Sequence, residues 1–107
     1  MVKKQTSTLT DMSGMQEHAK DAANLLKKLG NEHRLLILCT LIQGEMTVGQ
    51  LNEISPLSQS ALSQHLSALR AANLVKTRRE SQTIYYSLSG DNAIRVIEVL
   101  QSIFCPS

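Results

Sequence analysis

The scarcity of aromatic residues constrains this chain more than any other feature. Of 107 residues only Tyr85, Tyr86 and Phe104 are aromatic, and there is no tryptophan. The core must be filled by Leu, Ile, Val and Ala, which favours helices. The length suits one domain with a single core. Cys39 and Cys105 are too few for the disulfide framework of a small secreted domain. No apolar run approaches the roughly 20 residues of a membrane span. The start, MVKKQTSTLTDMSG, lacks the apolar stretch of a secretion signal. A small, soluble, cytoplasmic domain with no membrane partner is expected.

Hydrophobic periodicity and capping signals divide the chain. Residues 1–13 are polar and aperiodic and read as a flexible N-terminal tail, with one folded domain over 14–107. Ser13-Gly-Met-Gln16 fits a capping box. Ala22, Leu25, Leu26 and Leu29 follow at helical spacing, and Gly30 ends that first helix. Asn31 is placed to cap a second helix, about 32–43. Its run Leu35-Leu-Ile-Leu-Cys39 leaves no polar face and puts it at the centre of the core. Thr47-Val-Gly-Gln50 is a second capping box, opening a short third helix with Val48, Leu51 and Ile54 inward. After Ser55-Pro56-Leu57, Ser58 caps a fourth helix, about 59–72. Val75–Arg79 and Thr83–Leu88 are β-prone and read as a hairpin. A last helix, about 91–104, carries Ala93, Ile97, Leu100 and Phe104 on one stripe, with Val96, Val99 and Ile103 beside it. The order is α-α-α-α-β-β-α, mainly α with a small β-hairpin.

The net charge of +2 is unevenly spread. Residues 54–79 contain Arg70, Lys76, Arg78 and Arg79 and no acid. Two helices joined by a short turn and followed by a basic hairpin make a winged helix-turn-helix. On the fourth helix, Gln59, Ser60, Ser63, Gln64 and Ser67 fall within an arc of about 140° at the helical 100° per residue. Leu62, Leu66 and Leu69 cluster opposite. A solvated face usually prefers long charged helix formers. Short hydroxyls and amides instead suit a helix lying in the DNA major groove, where base edges offer donors and acceptors. The candidate DNA-contacting residues are therefore Ser58, Gln59, Ser60, Ser63, Gln64 and Ser67, with Arg78 and Arg79 of the hairpin reaching phosphates or the minor groove. His65 falls on the flank of the apolar face, where a packed or hydrogen-bonded support is the ordinary role; it stays among the candidates. No paired carboxylates, nucleophile–base set or phosphate-cradling loop points to an enzyme, and no cofactor is implied.

The stretch Leu57–Leu74, LSQSALSQHLSALRAANL, with Val75-Lys76 and the strand Tyr86-Ser87-Leu88, resembles the ArsR/SmtB family of bacterial winged helix-turn-helix repressors. Asn31-Glu-His-Arg-Leu-Leu-Ile-Leu38 resembles that family's second helix. The resemblance implies a homodimer built through the first and last helices, binding an imperfect inverted repeat in double-stranded DNA. The recognition helices would stand about one DNA turn, roughly 34 Å, apart.

Metal-sensing members of the family carry a Cys-rich pair on the third helix or an Asp/His/Glu set on the last. Here the third helix has neither Cys nor His, and the last has Asp91 and Glu98 without a His. His18, His33 and His65 lack partners at i+3 or i+4, so no metal ligand set is read. From composition alone Cys39 is a small buried hydrophobe and Cys105 an incidental terminal residue. The contexts Ile37-Leu-Cys39 and Phe104-Cys-Pro106, with Glu80-Ser-Gln-Thr83 in the wing, resemble the sulfide- and persulfide-responsive branch of the family (the BigR, SqrR and HlyU regulators). That resemblance implies that Cys39 and Cys105 react with persulfides or polysulfides to form a disulfide or polysulfide bridge, lowering DNA affinity. The local sequence activates neither thiol: Leu35, Leu36, Ile42 and Gln43 flank Cys39, and Cys105 stands at the negative end of a helix. Peroxide reacts with thiolates, so such thiols suit a sulfur sensor better. Metal- or peroxide-responsive repression, and anti-repression of virulence genes by displacing a nucleoid protein, are the alternatives.

Overall fold

The computed structural model describes residues 2–105, with side chains from Gly14 onward. The elements are α1 (Val2–Leu29), α2 (Glu32–Leu41), β1 (Met46–Thr47), α3 (Val48–Ile54), α4 (Gln59–Ala71), β2 (Val75–Glu80), β3 (Thr83–Leu88) and α5 (Asn92–Phe104). The three strands form an antiparallel sheet in the order β1-β3-β2.

Local chemistry accounts for most boundaries. Asn31 accepts hydrogen bonds from the N–H groups of His33 and Arg34 at 2.9 and 3.2 Å, opening α2 as expected. Thr47 and Gln50 close a reciprocal capping box on α3, with Gln50 N–H to Thr47 Oγ1 at 3.1 Å and Thr47 N–H to Gln50 Oε1 at 2.9 Å. α4 ends in a Schellman motif. Asn73 N–H donates to Arg70 O at 3.0 Å and Leu74 N–H to Leu69 O at 2.9 Å, with Asn73 left-handed at φ 62°. This reversal delivers Leu74 and Val75 into the core and starts β2 beside α4.

The core is aliphatic: Leu29, Ile37, Leu38, Leu41, Leu51, Leu62, Leu66, Leu69, Leu74, Val75, Ala93 and Ile97. As expected, α2 is central, packing against α1, α4, α5 and β3. No helix among the described residues is long and apolar enough to cross a membrane.

The structure departs from the sequence reading in three places. α1 is continuous through Ser13, where a helix cap was expected. Residues 2–13 contain neither Pro nor Gly to interrupt a helix; Met1 lies outside the described residues. The strand β1 adds a third member to the hairpin, pairing Met46 with Tyr86 and Thr47 with Tyr85. Ile54 is 61% exposed rather than inward, because the seven-residue α3 buries one position, Leu51, and its last turn faces solvent. On α5, Ala93 and Ile97 are buried, but Val99, Ile103 and Phe104 project outward, Phe104 at 75% exposure.

Candidate nucleic-acid interface

The turn between α3 and α4 is held by its own serines. Ser55 Oγ accepts from Leu57 N–H at 3.1 Å, and Ser58 Oγ accepts from Ala61 N–H at 3.2 Å to cap α4. Leu62, Leu66 and Leu69 are wholly buried, so the helix cannot roll. Ser58, Gln59, Ser60, Ser63, Gln64 and Ser67 are all exposed. Each of these hydroxyls and amides both donates and accepts hydrogen bonds, and no charge stands among them.

The wing is β2 and β3, joined by Ser81 and Gln82. Ser81 takes φ 61° at the first turn position, the pattern of a type II′ hairpin turn. Arg78 and Arg79 point to opposite faces of β2. They differ in their surroundings. The Arg78 guanidinium donates to both carboxylate oxygens of Glu45, with Nη2 to Oε1 at 2.6 Å and Nε to each oxygen at 3.1 Å. Its Nη1 lies 3.8 Å from Glu80, and its guanidinium carbon stands 4.3 Å from the Tyr85 ring centre. The hydrogen bond to Arg78 holds the Glu45 carboxyl below its usual range, and the same bond raises Arg78. Arg79 is exposed and has no acid partner among the described residues.

His65 lies on the inner flank of α4 as a hydrogen-bonded support. Its Nδ1 accepts from Arg34 Nε at 3.3 Å, and its ring lies 5.8 Å from that of His33. Burial, then the charges of Arg34 and His33, push its pKa down. The imidazole is therefore neutral near pH 7, with Nδ1 as acceptor. Sequence spacing had left His33 and His65 unpartnered; they meet because α2 packs on α4. Glu45 was also missed. It is 33 residues from Arg78, and no local signal links them.

Cys39 is half-buried against the core, and Cys105 is exposed at the end of α5, its N–H bonded to Gln101 O at 2.7 Å. Burial pushes the Cys39 thiol up, and charge on Cys105 adds to this. Cys39 is on α2 and Cys105 directly follows α5, and these two helices pack together. No three His, Cys, Asp or Glu side chains come together as a metal site among the described residues.

A turn-linked helix pair, a hydrogen-bonding face of serines and glutamines on the second helix and a β2–β3 wing define a winged helix-turn-helix protein. Residues 31–77 match the family described as "Bacterial regulatory protein, arsR family". The chain is 45% identical over 95 residues to the transcriptional activator HlyU of Vibrio cholerae, covering 89% of this chain and 88% of that one. It belongs to the arsR family of regulators, not to a class of enzymes. A structure of reduced HlyU from the same species superposes with a TM-score of 0.79, at 47% identity and covering 86% of this chain and 97% of that one. The repressor BigR from Xylella fastidiosa matches with a TM-score of 0.82, at 39% identity over 88% of this chain and 96% of that one. A solution structure of a homodimeric winged helix-turn-helix DNA-binding domain from Mycobacterium bovis matches with a TM-score of 0.73, at 30% identity over 83% and 82%.

Proposed function

We propose that this regulator binds a DNA operator as a homodimer and releases it when Cys39 and Cys105 are bridged by reactive sulfur. The observation that carries the DNA reading is the α4 face, where six hydroxyl and amide side chains are exposed and backed by three wholly buried leucines. Ser58, Gln59, Ser60, Ser63, Gln64 and Ser67 meet base edges and backbone in the major groove, and Arg79 meets phosphate. His65 supports the helix from behind. Two outward apolar sets favour the dimer: Met15 and Leu26 on α1, and Val99, Ile103 and Phe104 on α5. The homodimeric Mycobacterium bovis relative agrees with this arrangement.

For the switch, the exposed Cys105 attacks a polysulfide first. Its deprotonated sulfur attacks one sulfur of hydrogen disulfide, HSSH, breaking the S–S bond to give Cys105–S–SH and release HS⁻. Cys39, as thiolate, then attacks Cys105 Sγ, forming the disulfide and expelling a second HS⁻. The two thiols are oxidised and the sulfane sulfur is reduced to sulfide; where a longer polysulfide has left Cys105–S–S–SH, attack by Cys39 on the middle sulfur expels HS⁻ and leaves a trisulfide bridge. Cys39 belongs to the helix that packs on α4, and Cys105 to the helix carrying the outward apolar stripe. Joining them alters the spacing of the paired recognition helices, and several phosphate contacts are lost together. The preference for reactive sulfur over peroxide rests on the resemblance of the Cys39 and Cys105 contexts to the sulfide-responsive branch, since both oxidants are attacked by the thiolate.

The test is fluorescence anisotropy with a duplex selected from a random library, before and after equal doses of polysulfide and hydrogen peroxide. Polysulfide should release the DNA, and Cys39→Ser and Cys105→Ser should bind normally without responding. Mass spectrometry should show both thiols consumed within one chain. Equal release by peroxide, or an unchanged mass, would overturn the sulfur reading while leaving DNA binding intact.

A further inference from the structure

We infer that Glu45 and Arg78 form a clamp that fixes the angle of the wing, and that Arg78 is a positioning residue rather than a phosphate ligand. Arg78, Tyr85 and Thr47 stand in register across β2, β3 and β1. The Arg78 side chain starts on β2, lies over the Tyr85 ring on the middle strand, and grips Glu45 just before β1. One side chain thus spans two strand spacings, roughly 9–10 Å. Glu45 follows Gly44 in the connection from α2, where φ of 144° requires glycine. The clamp ties the wing to the segment that leads out of the central helix. Among the described residues no other side chain reaches across this face of the sheet with so many bonds: three N–H···O contacts to one carboxylate.

Charge makes the same distinction. Two carboxylates, Glu45 and Glu80, surround the single Arg78 cation. A phosphate arriving there meets a net negative neighbourhood. Arg79, on the opposite face with no acid partner among the described residues, is left for DNA together with Lys76 at the start of β2. The wing's contribution to affinity then depends on where the clamp holds Arg79, not on the charge of Arg78.

This inference rests on the DNA-binding reading, and the experiment separates the two. Anisotropy titrations of the full chain are run at several salt concentrations with wild type, Glu45→Gln, Arg78→Gln, Arg79→Gln and the swapped pair Glu45→Arg with Arg78→Glu. Glu45→Gln and Arg78→Gln should each weaken binding about three- to fivefold without changing the salt slope. The swap should recover most of the loss. Arg79→Gln should weaken binding and lower the slope by about 1. Hydrogen exchange of the free protein should show the β2 amides exchanging faster in Glu45→Gln and slowing again in the swap. Tighter binding by Glu45→Gln, or a slope lowered by about 1 in Arg78→Gln with no rescue by the swap, would make Arg78 a phosphate ligand and overturn the clamp. If wild type binds no duplex, the function reading fails, and the exchange rates alone decide the clamp: unchanged rates in Glu45→Gln would end it.

Discussion

Bridging Cys39 to Cys105 should raise the melting temperature of the protein while it weakens DNA binding. The bridge closes a loop of about 65 residues, and loop-closure entropy removed from the unfolded chain is worth roughly 4 kcal/mol at that length. Cys39 lies on α2 and Cys105 directly after α5, two helices that pack together. Cys105 follows the last helical residue, where the backbone has room to adjust. Bridges typically realise about 2–4 kcal/mol of stabilisation. For a domain of this size each kcal/mol is worth about 4 °C, so a rise of roughly 8–16 °C is expected. Circular dichroism melts at fixed protein concentration would compare reduced protein, polysulfide-treated protein and treated protein reduced again. Cys39→Ser should show no rise. A protein proved by mass spectrometry to carry the internal bridge, yet melting no higher than the reduced form, would refute the reasoning.

Three further outcomes are expected. His65 is held below its ordinary pKa, so as pH falls below about 6.5 the unfolded chain takes up the proton first. Stability is full above that value and is lost as pH falls through the folded pKa; urea melts at pH 7.5 and 5.5 should show this, and His65→Gln should reduce the loss. Leu66→Ala removes a wholly buried side chain behind the recognition face and should cost about 3 kcal/mol in denaturant unfolding, with a loss under 1 counting against the packing described. Phe104→Glu places charge on the outward stripe of α5 and should convert dimer to monomer in sedimentation, with little change in helix content; an unchanged dimer would move the interface elsewhere.

How far the sequence could be read depended on the range of each interaction. The caps at Asn31, Thr47 and Ser58 depend on atoms two or three residues apart and stood in plain view. The leucine spacing of α4 told which side would be buried, and therefore which serines and glutamines would face out. β1 was invisible because two residues carry no alternation; it exists because Tyr85 and Tyr86 offer a paired edge. The start of α1 was hidden because polar residues without Pro or Gly neither demand nor forbid a helix. The Arg34–His65 and Glu45–Arg78 bonds span 31 and 33 residues, and only the packing of α2 and the pairing of the sheet bring them together. That changed the meaning of Arg78 from a free cation to a tethered one. The resemblance carried by residues 57–74 supplied the family; the chemistry of the thiols rested on that resemblance rather than on spacing.

The neutral serines and glutamines that fill the first three turns of α4 have a consequence for how such a protein would search a chromosome. Its grip on any duplex comes from cations, Arg70 in the last turn of that helix and Arg79 of the wing among them, so dilution of salt strengthens every encounter alike. The preference for one site over another comes from hydroxyls and amides, whose bonds to bases are nearly indifferent to salt. Residence time on DNA and choice among sequences are then adjustable separately. A change of ionic conditions would slow or speed the scan without redrawing the set of sites at which it stops.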